Sequence, residues 1–238
     1  MARLVLAQAC DLLRRTVGMI MNSNEKFGPP PPGKIKFFRE PLSGHCHRVE
    51  LFLSILGLTY QTVDLDVQAG EAASNSFRKL NPLLEVPVLW HGDRLLCDSN
   101  AILCYLALEF GEADWFPVDP LKASRIQRWL SVAAGELLNG PVTMRRIKLF
   151  GLSFDQDRAL YESKRFLEFL DLELRGRQYL VGESPTIADI AIYTYTAHAP
   201  EGAISLRPYH EINRWLRSIE AWPAFVPMQR SATPDALI

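Results

Sequence analysis

The sequence predicts an α+β protein of two domains, a small α/β unit followed by a domain made only of helices. Three observations predict it. From Lys34 to Phe110, strand-like and helix-like apolar patterns alternate. At "GEADWFPVDP" (111–120), two prolines and a glycine end both patterns, and every later apolar run keeps helical spacing. Strands and helices followed by helices alone describe two fused domains, not one doubly wound sheet. The expected bounds are 34–110 for the α/β domain, 111–120 for a linker and 121–232 for the helical domain.

Residues 1–33 are read as a disordered N-terminal extension. "MARLVLAQACDLLRRTVGMIMN" mixes leucine and arginine as a targeting segment does, but it includes Asp11 and lacks a clean apolar stretch with a cleavage site. "GPPPPGK" (28–34) reads as a linker outside the fold.

The α/β unit opens on "KIKFFRE", a strand. In "HRVELFLSILGL", Val49, Leu51, Phe52, Leu53, Ile55 and Leu56 make an apolar stripe too wide for a surface helix and suited to packing on a sheet, and Gly57 ends it. "YQTVDLDV", "VPVLW" and "RLLC" supply three more strands, with a short helix, "NSFRKLN", between the first two of them. "SNAILCYLALEF" is apolar on nearly all sides, so it needs cover from the sheet and from a second domain or subunit. Beyond the linker, helices are expected near 121–139, 142–150, 156–175, 187–198 and 209–220. The clearest start signal is Thr186 with Asp189 three residues on, a reciprocal cap with a structural role.

A formal net charge of -1, with no block of like charge, gives no field to hold a polyanion, so nucleic acid is not expected as a partner. No apolar run approaches the roughly 20 residues that span a bilayer. Four cysteines without a CxxC pair read as reduced thiols, which points to the cytoplasm.

Chemistry concentrates in "REPLSGHCHRVELFLSILGL" (39–58). His45, Cys46 and His47 are consecutive on a predicted helix, so their side chains diverge by about 100° and cannot share one tetrahedral metal. No metal is expected. Ser43 and His45 lack an evident carboxylate partner and a nucleophile-elbow glycine pattern, which leaves a hydrolytic triad unsupported. Ser43 stands at the first turn of that helix, as an N-cap or as a working hydroxyl. Val86-Pro87 opens the third strand, where the missing N–H suits a position that a ligand occupies. Ser99 is placed as the N-cap of the apolar helix, with free amides beyond it that form an anion site, and Asp98 beside it.

Taken in order, "PLSGHCHRVELFL", "LNPLLEVPVL", "CDSNAILCYLA" and "GESPTIADIAIY" resemble the cytosolic glutathione transferases, of the serine type and bacterial in character. The resemblance covers Lys34 to about Ala232. It implies a thioredoxin-like N-terminal domain before the all-helical one, a cis Val86-Pro87 bond, and main-chain pairing of Val86 with the cysteinyl part of glutathione. It also implies that Ser99 and the amides beyond it hold the γ-glutamyl carboxylate, that Asp98 meets the ammonium, and that His45 borders the peptide. Ser43 matches the catalytic hydroxyl, which favours the thiolate over the thiol.

Counted back from Arg48 and Val49, a catalytic cysteine of the reductase type falls at 43, so Cys46 lies nearly a turn too deep. The family commonly has a glycine and then a polar or basic residue where "LLE" (83–85) stands here; Glu85 would repel the glycyl carboxylate, with Arg78 or Lys79 to offset it. The electrophile site is expected between the domains, at Asn139, Met144 and Arg145. The resemblance thus implies a homodimeric detoxification enzyme that conjugates glutathione to a small, apolar electrophile. A glutathione-dependent reductase or peroxidase at the same site, and a non-catalytic scaffold, are the alternatives.

Overall fold

The structure, a computed structural model, describes residues 25–231. Strands β1 (Ile35–Arg39), β2 (Tyr60–Asp64), β3 (Val88–His91) and β4 (Arg94–Cys97) form one sheet in the order β2-β1-β3-β4. β1 runs parallel to β2 and antiparallel to β3, and β3 pairs antiparallel with β4. A parallel pair needs a crossover, which helix α1 (Gly44–Ile55) supplies. The β3–β4 turn is tight, with Gly92 at φ 60.

Period-two alternation sends neighbouring side chains to opposite faces. Ile35, Phe37 and Leu89 pack with the apolar stripe of α1 and with α3 (Ser99–Phe110). Phe38, Val63, Val88 and Trp90 face the other way, onto Phe77 of the short helix α2 (Asn75–Arg78) and onto Leu80. Phe27 completes this second cluster, its ring stacked 6.1 Å from that of Phe38. Lys26 Nζ pairs with the Glu71 carboxylate at 2.5 Å, and Lys36 Nζ donates to Gly28 O at 2.9 Å. The extension expected up to residue 33 therefore begins its packing on the domain well before Lys34; residues 1–24 of it lie outside the described residues. The third strand also starts later than expected, at Val88, so Val86 and Pro87 belong to the loop before it.

The second half is helical: α4 (Pro120–Ala134), α5 (Thr143–Phe150), α6 (Gln156–Glu173), α7 (Ile187–Ala197) and α8 (His210–Glu220). The expected break at "NGP" is instead a π-helical segment, Leu138–Val142, that runs straight into α5. Gly140 lets it approach α6, since a Cβ there would lie 2.8 Å from the Ser163 amide.

α7 is buried along nearly its whole length and begins with the predicted capping box of Thr186 and Asp189. It packs against α4, α1 and α3. The cover that α3 needs thus comes from within the same chain, apart from exposed residues such as Leu108, 64% accessible. Among the described residues no helix is long and apolar enough to cross a membrane, and no group of three or more His, Cys, Asp or Glu is placed to hold a metal ion.

Candidate active site

A cleft of about 1390 Å³ opens between the sheet domain and the helices, and α1 aims its N-terminus into it. Ser43 caps that helix: its hydroxyl accepts from the Cys46 amide at 3.4 Å, and its carbonyl accepts from the His47 amide at 2.9 Å. A cap uses an oxygen lone pair and leaves the O–H free to donate. Gly44 follows because nothing larger fits; a Cβ there would lie 2.7 Å from the ring of Tyr195.

Seven expected residues of the α/β domain, Ser43, His45, Glu85, Val86, Pro87, Asp98 and Ser99, all line this one cleft. The Val86-Pro87 bond is cis. The main-chain N–H and C=O of Val86 make no hydrogen bond among the described residues. They are open to an extended ligand.

At the start of α3 the expected roles are exchanged. Asp98, not Ser99, is the N-cap: it stands at φ 70 and its Oδ1 accepts from the Ala101 amide at 2.9 Å. A non-glycine residue held there costs on the order of 1–3 kcal/mol. The turn places Ser99 inside the first turn of the helix, where its hydroxyl lies 3.4 Å from both Arg48 Nη1 and His45 Nδ1.

Sequence reasoning used Arg48 only to count register, yet it is a central residue of the site. It is fully buried beneath the cleft, donates to Asn100 Oδ1 at 2.9 Å, and lies over the Tyr195 ring at 5.9 Å. It forms no ion pair among the described residues, and its Nε and Nη2 have no hydrogen-bond partner. Burial brings its pKa down to about 10, which leaves it charged at neutral pH. The one signal in the sequence was an arginine set inside an apolar stripe. Burial, then the Arg48 and Arg146 cations, push His45 well below the usual imidazole range, so it is neutral.

His47 faces away from the cleft. Its Nε2 donates to Val226 O at 2.8 Å, which leaves Nδ1 to accept from the Thr194 hydroxyl at 2.9 Å, and burial lowers its pKa to about 4. Cys46 is equally inward, 1% exposed, with its thiol pushed up to about 12 by burial.

The three residues expected in the electrophile pocket separate. Arg145 lines the cleft but is tied down, donating through Nε to Glu201 at 2.6 Å and through Nη1 to Leu42 O at 2.7 Å. Met144 is 3% exposed and belongs to the core, while Asn139 borders a separate depression of about 590 Å³. The helical wall of the cleft is formed instead by Leu138, Arg146, Leu149 and Phe150. The opposite rim is acidic, with Asp64, Asp66, Glu71 and Glu85; Arg78 and Lys79 are exposed and take no part in the cleft.

Residues 34–108 match the family described as "Glutathione S-transferase, N-terminal domain", and residues 150–223 match "Glutathione S-transferase, C-terminal domain". Glutathione S-transferase 2 of Anopheles gambiae is 28% identical over 183 residues, 76% of this chain and 88% of that one. Glutathione S-transferase theta-2 of Mus musculus is 29% identical over 165 residues, 66% of this chain and 68% of that one. Among solved structures, a glutathione S-transferase from Pseudomonas fluorescens Pf-5 superposes with a TM-score of 0.78 at 30% identity, covering 82% of this chain and 99% of that one.

Proposed function

We propose, for a chain that belongs to the glutathione S-transferase family, a serine-type transferase that ionises glutathione at Ser43 and passes its sulfur to an electrophilic carbon. One observation carries this reading. Ser43, the main chain of Val86, unpaired among the described residues, and the first turn of α3 line a single cleft.

The peptide's cysteinyl segment pairs with the N–H and C=O of Val86, as an added strand would. Its γ-glutamyl carboxylate meets the Ser99 hydroxyl and the free amides that begin α3, and the oxygen of Asp98 not used in capping accepts from the ammonium. The sulfur then lies at the N-terminus of α1. A free thiol has a pKa near about 8.5 and is mostly protonated at neutral pH. The Ser43 O–H donates to the thiolate while the helix end favours negative charge, and each unit of lowering is worth about 1.4 kcal/mol. The thiol proton passes to solvent, the thiolate attacks carbon, the C–S bond forms, and the leaving group departs with its electron pair.

Cys46 does not suit the reductase alternative, because a buried thiol with a pKa near 12 supplies almost no thiolate. The scaffold alternative draws on Glu85 and its acidic neighbours at the peptide's glycyl end. Isothermal titration with glutathione, followed by a conjugation assay with 1-chloro-2,4-dinitrobenzene, separates the readings. Saturable binding with turnover supports the transferase, and absence of binding supports the scaffold. The reading includes a homodimer joined across exposed apolar side chains such as Leu95 and Leu108, and a cytoplasmic setting that suits the free thiols of Cys46, Cys97 and Cys104.

A further inference from the structure

Three arginines line the cleft, and among the described residues only one of them is paired with a carboxylate. Arg145 is matched by Glu201. Arg48 and Arg146 form no ion pair among the described residues, and both lie near enough to His45 for their charge to act on it. His45 is neutral and offers them nothing to neutralise. The Ser43 end of the cleft therefore holds two positive charges without a partner. Asp98 acts on Arg48 from beyond ion-pair distance, and Glu40 is close to Arg145. Arg146 also borders the smaller depression with Glu136, Asp155 and Glu162, but Glu136 and Glu162 pair with Arg158 and Arg165, Asp155 caps α6, and none of the three is within ion-pair distance of Arg146.

Glutathione accounts for one of the two. Arg48 touches the Ser99 hydroxyl and Asn100, so its charge serves the γ-glutamyl carboxylate expected at that turn. Arg146 is surplus. It is half-buried in the helical wall, among Leu138, Leu149 and Phe150. A purely apolar electrophile would strip water from this guanidinium and return nothing, whereas a ligand with one apolar face and one anionic group would satisfy both surfaces.

We propose that the second substrate is an amphipathic anion, an aryl or alkyl electrophile bearing a carboxylate or sulfonate, with Arg146 as the residue that receives the charge. This replaces the apolar electrophile expected from sequence, and it rests on the transferase reading above.

4-Chloro-3-nitrobenzoate and its methyl ester test it, because they share one reacting carbon and differ in charge. In both, the glutathione thiolate forms the C–S bond at the carbon that carries chlorine, and chloride leaves with the bonding pair. Each kcat/KM is divided by the rate constant for free glutathione, since the ester is intrinsically the more reactive. The corrected preference for the acid should be about tenfold, the scale of one partly screened guanidinium–carboxylate contact. Arg146→Met should bring the ratio close to one, and Arg146→Lys should keep most of it. A native ratio at or below one, or a preference that survives Arg146→Met, overturns the inference while leaving the transferase intact. Conjugation of neither compound overturns both.

Discussion

The Ser43 hydroxyl accepts a hydrogen bond from the Cys46 amide at 3.4 Å, so the proposed catalytic group and its cysteine rival are two ends of one helix cap. Capping and catalysis use different parts of the hydroxyl, and substitution separates them. Ser43→Ala should cost about 1 kcal/mol of stability through the lost cap and reduce kcat/KM by about a hundredfold at neutral pH through the lost thiolate donor. Ser43→Asp should keep the cap, yet place a second negative charge against the sulfur, and turn over more slowly still. Cys46→Ala should retain activity and lose only stability. Chemical denaturation beside initial-rate kinetics checks all three; a Cys46→Ala enzyme without activity would return the chemistry to the cysteine.

Arg145 and Glu201 form the most buried ion pair among the described residues, and His198 Nδ1 lies 2.9 Å from the same carboxylate. Burial pushes the Glu201 carboxyl up, but His198 and Arg145 overcome it and hold it near 2. Removing one partner strands a charge inside the protein. Arg145→Met and Glu201→Gln should each cost about 3 kcal/mol, and the double variant should cost clearly less than their sum. A denaturant double-mutant cycle measures this, and strict additivity would refute the coupling. Arg145→Met also frees the Leu42 carbonyl, one residue before Ser43, so its kcat should fall as well.

What could be read from sequence was what is encoded locally. The Thr186–Asp189 cap spans four residues and appears as predicted. The α1 stripe and the all-helical second half follow from periodicity alone. The exchange of Asp98 and Ser99 was hidden because it depends on a positive φ that side-chain chemistry does not announce. Arg48 and Asn100 are 52 residues apart, so no pattern along the chain joins them. Met144 and Arg145 are neighbours on α5 whose side chains diverge by about 100°, and the wheel they sit on could not be phased because "NGP" reads as a break where the chain continues as a π-helical segment. Packing of Phe27 on Phe38 was hidden by the proline tract that follows it.

His47 makes stability depend on pH. An ordinary imidazole titrates near 6.5 and native His47 near 4, so between these values the unfolded chain takes up a proton that the native state refuses. Unfolding free energy should be flat near pH 7 to 8 and fall as pH drops from 6.5 toward 4, by on the order of 3 kcal/mol. His45, also lowered, adds to the loss in the same direction. Equilibrium denaturation at half-unit steps of pH measures the slope, and His47→Gln should flatten it. A native protein equally stable at pH 5 and pH 7 would contradict the buried neutral assignment.

Asp189 anchors more than its cap. Oδ1 accepts from the Leu180 amide and from Trp215 Nε1, both at 3.0 Å, and Oδ2 accepts from the Thr186 amide at 3.0 Å. Asp189→Asn replaces one acceptor by a donor that faces donors, and should cost about 3 kcal/mol. Thr186→Ala removes one cap bond and should cost about 1 kcal/mol. The kcat/KM of the folded fraction should be unchanged in both, since neither residue lines the cleft. A rate loss larger than the unfolded fraction explains would show that α7 transmits to the site.

Glu85 provides the test of the glycyl end. Four acids border the cleft there, but Asp64 is paired with Arg39 and Glu71 with Lys26, which among the described residues leaves Glu85 and Asp66 without an ion pair. Glu85 is exposed, so its repulsion of a carboxylate several ångströms away is screened by water and amounts to a fraction of a kcal/mol or slightly more. Glu85→Gln should therefore tighten glutathione binding by about threefold at low salt. The gain should vanish near 1 M salt, where the Debye length is about 3 Å. Glutathione carrying an ethyl ester on its glycyl carboxylate should bind native protein and variant alike, because the repelled charge is gone. Isothermal titration of both peptides against both proteins decides the matter. Equal gains for acid and ester would place the glycyl end away from residue 85, and a loss with either would give Glu85 a supporting role in binding.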